Sequence, residues 1–286
     1  MDFSSHYQQC TVAERNLSYL DIGTGPVLLF GHSYLWDSTM WAPQIAALSG
    51  HYRCIVPELW GHGQSDLLPD NCTTLLDIAD HMLALMDALE IDNFSIIGLS
   101  VGAMWGAELV LKAPARVNAL VMLNSFIGFE PEVTRAKYYS MLDTIAAANA
   151  IPAALISTIS PLFFANHTID NAPERMTAFE RSLANITVEK IPTIVKLGRM
   201  IFGRRDTMEY AEQFTLPCLI MAGVEDKVHS VLESYLMSDS IDGSQLVHIP
   251  SAGHISTLEQ AEFINQHLVT FSRVIYKTAP YKGPVL

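Results

Sequence analysis

The sequence predicts an α/β protein, in which a mostly parallel, doubly wound sheet carries helices on both faces. Two observations predict it: short apolar runs that do not alternate with polar residues, and helical patterns between those runs. A third is the interval of about ninety residues between Asn124 and Cys218, which contains no strand-like run. We therefore expect a core of strands and helices that is interrupted by one helical insertion.

The predicted strands are short runs rich in Val, Ile and Leu that end in glycine, proline or a polar residue. Because strands buried on both faces lack alternation, such runs indicate the inside of a parallel sheet. They cover residues 27–30, 52–56, 94–97, 119–123, 218–222 and 246–249.

Helices are predicted where apolar residues recur every three or four positions, which is typical of one buried helix face. Ser256 and Glu259 fit a capping box that would open the last of these helices. Residues 276–286 contain Pro280 and Gly283, and we expect them to form an extended surface arm. The periodic sets are Ile78, Met82, Leu85 and Leu89, and then Ala261, Ile264, Leu268 and Phe271.

The strand-free interval is rich in Ala, Ile, Met and Phe and is punctuated by prolines. We interpret residues 126–214 as a helical cap over the carboxyl edge of the sheet, where open α/β sheets bind ligands. The alternative is that these helices merely extend the core. The expected organisation is a core in two parts, residues 1–125 and 215–286, with the cap between them.

Composition excludes several classes of partner. The net charge is −13, and no Lys/Arg run is longer than Arg204-Arg205, so nucleic acid and anionic membrane surfaces are disfavoured. The longest apolar runs are strand-sized, and residues 1–20 lack a basic segment followed by an apolar one, so neither a membrane span nor a secretory signal is expected. The four cysteines lie far apart, as free thiols in a reducing cytoplasm would. We expect a cytoplasmic protein with a small-molecule partner; a homo-oligomer is compatible with the sequence.

The most informative motif is the pentapeptide Gly98-Leu99-Ser100-Val101-Gly102, which directly follows a predicted strand. A strand, a sharp turn with serine at its apex and then a helix form the nucleophile elbow of serine hydrolases. The turn strains the serine, so its neighbours must be small, and the two glycines meet that need. Ser100 is therefore the predicted nucleophile.

A serine hydroxyl needs a base to take its proton and an acid to orient that base. Asp226 follows the predicted strand 218–222 and is our candidate acid, with the adjacent Glu225 as the alternative. His254 follows the last predicted strand and is the candidate base. His248 is its nearest competitor, but it lies inside that strand and is expected to pack there.

The transition state also needs amide donors for the oxyanion. We expect one from the backbone N–H of Val101 and the other from the backbone N–H of Tyr34, in the loop after the first predicted core strand. The side chains of Tyr34 and Trp36 either line the substrate pocket or are simply packed under the cap. Phe126 and Phe129 are further pocket candidates, and they favour a substrate with an apolar portion.

With these motifs in place, the chain resembles α/β-hydrolase-fold proteins along most of its length. The residues that carry the resemblance are the elbow, the acid loop, Gly253-His254, and the stretch Gly61-His62-Gly63-Gln64-Ser65-Asp66. The elbow and its following helix are similar to those of 3-oxoadipate enol-lactonases and related small esterases. Ser100 argues against the haloalkane dehalogenase and epoxide hydrolase branches, which use an aspartate nucleophile.

The sequence departs from the family pattern at a few positions. Glu58 stands where the family usually has Asp, Ala103 replaces a frequent glycine, and Gly31-His32 reverses the usual order in the oxyanion loop. None of these changes removes a member of the predicted triad. For His32 a structural hydrogen-bonding role is favoured over a catalytic one.

The resulting hypothesis is a serine hydrolase that cleaves a carboxylic ester, lactone or thioester through an acyl-enzyme. This chemistry requires no cofactor and no metal. A first alternative keeps the triad but hydrolyses a carbon–carbon bond or carries out cofactor-free perhydrolysis. A second is a non-catalytic small-molecule receptor of the same fold.

Overall fold

The computed structural model describes residues 3–277, apart from the side chain of Ser4, and contains one eight-stranded sheet. The predicted arm at residues 276–286 lies outside this range except for its first two residues, of which Tyr276 ends the last helix. The strands are β1 Tyr7–Val12, β2 Arg15–Ile22, β3 Val27–Gly31, β4 Arg53–Pro57, β5 Phe94–Leu99, β6 Val117–Leu123, β7 Cys218–Gly223 and β8 Gln245–Ile249.

The strand order is β1-β2-β4-β3-β5-β6-β7-β8, and all pairs from β4 to β8 are parallel. All six predicted strands are present, and the predicted fold class is confirmed. Strands β1 and β2 were not predicted; they form an antiparallel hairpin that extends the sheet at one edge. Its turn places Ala13 and Glu14 at positive φ without the Gly or Asn that usually marks such a turn.

Helices cover both faces of the sheet. Helices α2 and α3 pack on one face, while α1 and α11 pack together on the other. The helices are α1 Ala42–Leu48, α2 Leu75–Ala88, α3 Val101–Lys112, α4 Glu132–Ala148, α5 Ala153–Ile159, α6 Asn166–Asn171, α7 Pro173–Ala184, α8 Ile191–Phe202, α9 Val231–Ser240, α10 Ser256–Glu259 and α11 Ala261–Tyr276.

The interval between β6 and β7 holds helices α4 to α8. Prolines lie just before or within the first turn of several of them, where a missing N–H costs no helical hydrogen bond. These helices contact the carboxyl edge of the sheet: Tyr34 Oη, in the loop after β3, donates to Ile194 O of α8 at 2.7 Å. The limits of the predicted cap domain stay predictions.

The predicted capping box at Ser256 and Glu259 is wrong. These residues form their own short helix, α10, and α11 begins separately at Ala261. The Glu259 carboxylate instead accepts hydrogen bonds from the Ala165 N–H at 2.8 Å and the Gly253 N–H at 2.7 Å. The carboxylate that a helix cap would use therefore binds two backbone donors outside the helix, one of them 94 residues away along the chain.

Within residues 3–277 no helix is long and apolar enough to cross a membrane. The four cysteines carry free thiols, and three of them are buried.

Candidate active site

The turn after β5 holds Ser100 in a strained conformation, with φ 55° and ψ −121°. A side chain on Gly98 would place its Cβ 2.3 Å from the Ala103 nitrogen, and one on Gly102 would approach the Gly31 oxygen to 2.0 Å. Both positions therefore require glycine. Because Ser100 directly precedes α3, it lies at the positive end of a helix dipole, where developing negative charge is stabilised.

The loops after β7 and β8 bring an acid and a base together. His254 Nδ1 lies 3.0 Å from Asp226 Oδ2 and 3.2 Å from Oδ1. The two side chains are only 2% and 1% exposed. The backbone N–H groups of Val228 and His229 also donate to Asp226 Oδ1, at 2.8 and 3.1 Å. This carboxylate is therefore well supplied with donors and holds one edge of the imidazole in place.

The electrostatics favour an ionised Asp226. Burial alone raises the pKa of its carboxyl, but the attraction and hydrogen bond of His254, with smaller contributions from His229 and Asn124, bring that pKa below its ordinary value. A carboxylate that stays charged next to His254 stabilises the imidazolium that forms when the histidine takes a proton.

The competing candidates lie elsewhere. Glu225 Oε2 accepts the backbone N–H of Asn166 at 3.0 Å, so this carboxylate binds the first residue of α6. His248 lies within β8, and its ring contacts Tyr235 at a centroid distance of 5.1 Å. Of the two adjacent acids and the two histidines, only Asp226 and His254 meet.

Two residues that were not predicted as site residues connect the loops after β5, β7 and β8. Asn124, directly after β6, donates from Nδ2 to Asp226 Oδ2 at 2.9 Å and to the Gly253 carbonyl at 3.0 Å. Ser125 donates from Oγ to the Ser100 carbonyl at 2.9 Å. The described residues include no direct hydrogen bond between Ser100 Oγ and the His254 ring. The end of β6 therefore holds the nucleophile loop next to the acid–base pair.

The loop after β3 leaves one amide free. Of the four amides from Ser33 to Trp36, that of Ser33 donates to Met40 Sδ, that of Leu35 to His62 Nε2 and that of Trp36 to the Ser33 carbonyl. Within the described part of the chain, the Tyr34 amide has no acceptor, and neither has the Val101 amide at the start of α3. These are the two donors predicted for the oxyanion.

Two histidines tie this loop to the loop after β4. His32 Nε2 accepts the Leu59 N–H at 2.8 Å, and His62 Nε2 accepts the Leu35 N–H at 3.1 Å. Burial lowers the pKa of both rings, that of His62 to about 3, so both stay neutral acceptors. The structural role expected of His32 is confirmed.

The other residue of interest in that loop is Glu58, whose carboxylate lies against Gly63, where a Cβ would come within 2.0 Å of it. It accepts the Ser38 hydroxyl at 2.8 Å and the Gln64 N–H at 2.5 Å. Glu58 and the glycine stretch around His62 thus shape the loop rather than contact the acid–base pair.

An apolar cavity of about 60 Å³ adjoins the acid–base pair, and Tyr34 and Phe163 are among its walls. Trp36 lines a separate cavity of about 230 Å³ and stacks on Phe179 at 4.5 Å. Phe126 and Phe129, which were predicted to line the substrate pocket, line neither of these two cavities. Phe126 packs next to Gly128, and Phe129 is 56% exposed.

Among the described residues, no group of three or more His, Cys, Asp or Glu side chains is arranged to hold a metal ion.

The chain matches one family model and is similar in sequence to several known proteins. A family model described as the alpha/beta hydrolase fold matches residues 26–261. The chain is 27% identical over 241 residues to 3-oxoadipate enol-lactonase 1 of Acinetobacter baylyi, covering 83% of this chain and 85% of that one. It is 26% identical to the carboxylesterase YbfK of Bacillus subtilis, covering 86% and 80%.

Among solved structures, a thermophilic esterase from Thermogutta terrifontis is similar, with a TM-score of 0.85. Its identity to this chain is 23%, over 94% of this chain and 99% of that one, so the likeness concerns the fold.

Proposed function

The chain belongs to the alpha/beta hydrolase fold family, and from this membership we propose that it is a serine hydrolase of carboxylic esters, lactones or thioesters. The buried pair of His254 and Asp226, held through Asn124 and Ser125 beside the strained Ser100, is the observation that carries the proposal. The names of two relatives, an enol-lactonase and a carboxylesterase, support the same class of bond.

In the proposed reaction, Ser100 Oγ attacks the carbonyl carbon of the substrate while His254 Nε2 takes the hydroxyl proton. Asp226, bonded to Nδ1 on the opposite side of the ring, stabilises the imidazolium. The amides of Tyr34 and Val101 donate to the oxyanion that forms on the carbonyl oxygen. When the carbonyl re-forms, the bond to the leaving group breaks and the imidazolium protonates that group.

The acyl group is then attached to Ser100 and must be removed by water. His254 takes a proton from the water, the hydroxide attacks the acyl carbon, and the proton returns to Ser100 Oγ as the acid leaves. Both halves use the same three side chains and two backbone amides, and neither calls for a cofactor or a metal.

Covalent labelling tests the nucleophile directly. A fluorophosphonate probe should label the wild-type protein rapidly, and Ser100→Ala should abolish both the labelling and the turnover of p-nitrophenyl butyrate. Ser95→Ala is the matched control, because Ser95 is a buried serine of β5, the strand that precedes Ser100, and its hydroxyl bonds Tyr276 Oη at 2.7 Å. It should keep the labelling.

Other outcomes would favour the alternatives. Turnover of a vinylogous diketone dienoate without turnover of esters would favour a carbon–carbon hydrolase. Tight ligand binding without labelling of the wild-type protein would favour a receptor, and labelling that survives Ser100→Ala would refute the nucleophile.

A further inference from the structure

The apolar cavity described above lies against three parts of the proposed active site. The Phe163 ring on one wall meets the His254 ring edge-on, at a centroid distance of 5.4 Å. Val228, on another wall, donates its N–H to Asp226. Tyr34, on a third wall, carries one of the two amides expected to bind the oxyanion. A substrate carbonyl held by these groups would have one of its two arms beside this cavity.

The cavity is lined by uncharged side chains. Among its eleven lining residues there is no Asp, Glu, Lys, Arg or His. Its only hydroxyl groups are two phenols, and Tyr34 Oη is already bonded to the Ile194 carbonyl. Burial raises the pKa of Tyr138 to about 12, and that of Tyr34 is raised as well, so both phenols remain neutral.

The Arg204 guanidinium, whose charge is felt by Tyr138, does not offset this. Arg204 is 4% exposed and pairs at 3.1 Å with Glu130, which is 6% exposed, so its charge is already matched by a buried carboxylate. It is not among the residues that line the cavity. Among the described residues its Nε and Nη2 atoms have no hydrogen-bond partner, so a variant at this position tests whether they receive a carboxylate.

Size sets a second limit. If roughly 10–15 Å³ of such space holds one water-sized group, a cavity of about 60 Å³ admits roughly four to six groups of that size. The room suits a short aliphatic chain, branched or straight, and a long acyl chain would extend beyond it.

We propose that this cavity selects substrates by charge: the arm that enters it is short and uncharged, and a carboxylate of the same shape is rejected. This inference rests on the proposed ester hydrolysis. A carboxylate there would lose its hydration and would gain no cation and at most one donor, the Tyr138 hydroxyl, and burying a charge with so little compensation is costly. The substrate class is therefore neutral short-chain esters rather than half-esters or lactones that keep a free carboxylate on this arm.

Two isosteric pairs of esters test the proposal. Ethyl 4-methylpentanoate and ethyl hydrogen succinate share one heavy-atom skeleton and differ by a charge on the acyl arm. The esters 3-methylbutyl acetate and 3-acetoxypropanoate differ in the same way on the alcohol arm. We expect the neutral ester to have a kcat/KM about 100-fold higher or more in at least one pair, and that pair identifies the arm that enters the cavity.

A designed reversal strengthens the test. Met141 is a half-buried, flexible side chain on the cavity wall, and Met141→Lys would add a cation there. This variant should reduce the discrimination at least tenfold, whereas the matched control Met141→Leu should leave it within about threefold of wild type.

The outcomes are separable. Ratios within about threefold in both pairs, a preference for the charged esters, or an unchanged ratio in Met141→Lys would overturn the charge selection. A charged ester hydrolysed well by wild type and lost in Arg204→Gln would show that Arg204 receives the carboxylate instead. If the proposed function itself fails, no ester is turned over and the fluorophosphonate does not label Ser100.

Discussion

The close approach of α3 to β3 makes Gly102 a position where one added methyl group should be strongly destabilising. A Cβ on Gly102 would lie 2.0 Å from the Gly31 oxygen and 2.4 Å from its carbonyl carbon, whereas ordinary contact begins at 3.4 Å. The two backbones would therefore have to separate by about 1.4 Å. No rotamer change relieves this clash, because the obstacle is backbone.

The expected magnitude follows from that displacement. Overpacking of this kind costs about 3 kcal/mol, and the helix gains about 1 kcal/mol from replacing glycine by alanine, so the net loss is about 2 kcal/mol. In a chain of 286 residues that lowers Tm by roughly 3–4 °C. Gly31 precedes the Tyr34 loop and Gly102 follows Ser100, so the oxyanion donors separate too. A misplacement of about 1 Å costs roughly 100-fold in kcat/KM.

Thermal unfolding and ester kinetics would be measured on Gly102→Ala beside Gly106→Ala, which is the same substitution one turn later in α3. At Gly106 the nearest atoms are the Cγ2 of Ile96 at 3.0 Å and the Cδ1 of Leu120 at 3.3 Å, which are side-chain methyl groups rather than backbone and lie at least 1.0 Å further away than the Gly31 oxygen does from Gly102. Gly106→Ala should stay within about 1 kcal/mol of wild type and keep its activity. If Gly102→Ala kept kcat/KM within about threefold and its Tm within about 2 °C, the contact between α3 and β3 would not set the active-site geometry.

Three further outcomes are expected. Asp226→Asn should lower kcat by roughly 10³–10⁴-fold, while Glu225→Gln should lower it by less than about tenfold; the reverse pattern in steady-state kinetics would move the acid by one residue. His254→Ala should abolish the acyl-enzyme burst in stopped-flow hydrolysis, and a burst lost only in His248→Ala would contradict the assignment of the base. The pKa of the His62 ring is about 3 in the folded protein and about 6.5 when unfolded, so between these values the unfolded chain binds more protons. The stability contributed by neutral His62 is complete above about pH 6.5 and falls as the pH drops, by about 2 kcal/mol at pH 5. Urea unfolding above pH 6.5 and at pH 5 should show a smaller decrease in the free energy of unfolding for His62→Gln than for the wild type. An equal decrease in the two proteins would refute the inference.

The sequence predicts the strands of the core and the loops that carry Ser100, Asp226 and His254, because each loop directly follows a buried apolar run. Parallel strands end at one edge of the sheet, so residues that follow them come together without any knowledge of their side-chain contacts. The choice between Asp226 and Glu225 needed coordinates, since it depends on how one loop turns.

Other features depend on contacts that no local pattern reveals. Asn124 gave no signal beyond its position after a strand, yet it bonds two loops that follow it by about a hundred residues or more. Glu259 matched a local capping pattern, but its carboxylate accepts hydrogen bonds from the backbone amides of Ala165 and Gly253 instead. Phe126 and Phe129 were predicted to line the pocket only because they are apolar residues of the predicted cap. Where their side chains lie depends on how the segment after β6 packs.

The hydrogen bonds of Asn124 have a consequence for how the region between β6 and β7 can vary. Asn124 stands just before that region, and its partners Asp226 and Gly253 stand after it, so these bonds close a loop whose ends are fixed in the sheet. The entropy cost of closing a loop grows only logarithmically, by about 0.6 kcal/mol for each doubling of its length. Grafting a longer or shorter set of helices between residues 125 and 217 should therefore change which molecules are admitted while leaving the acid–base pair intact.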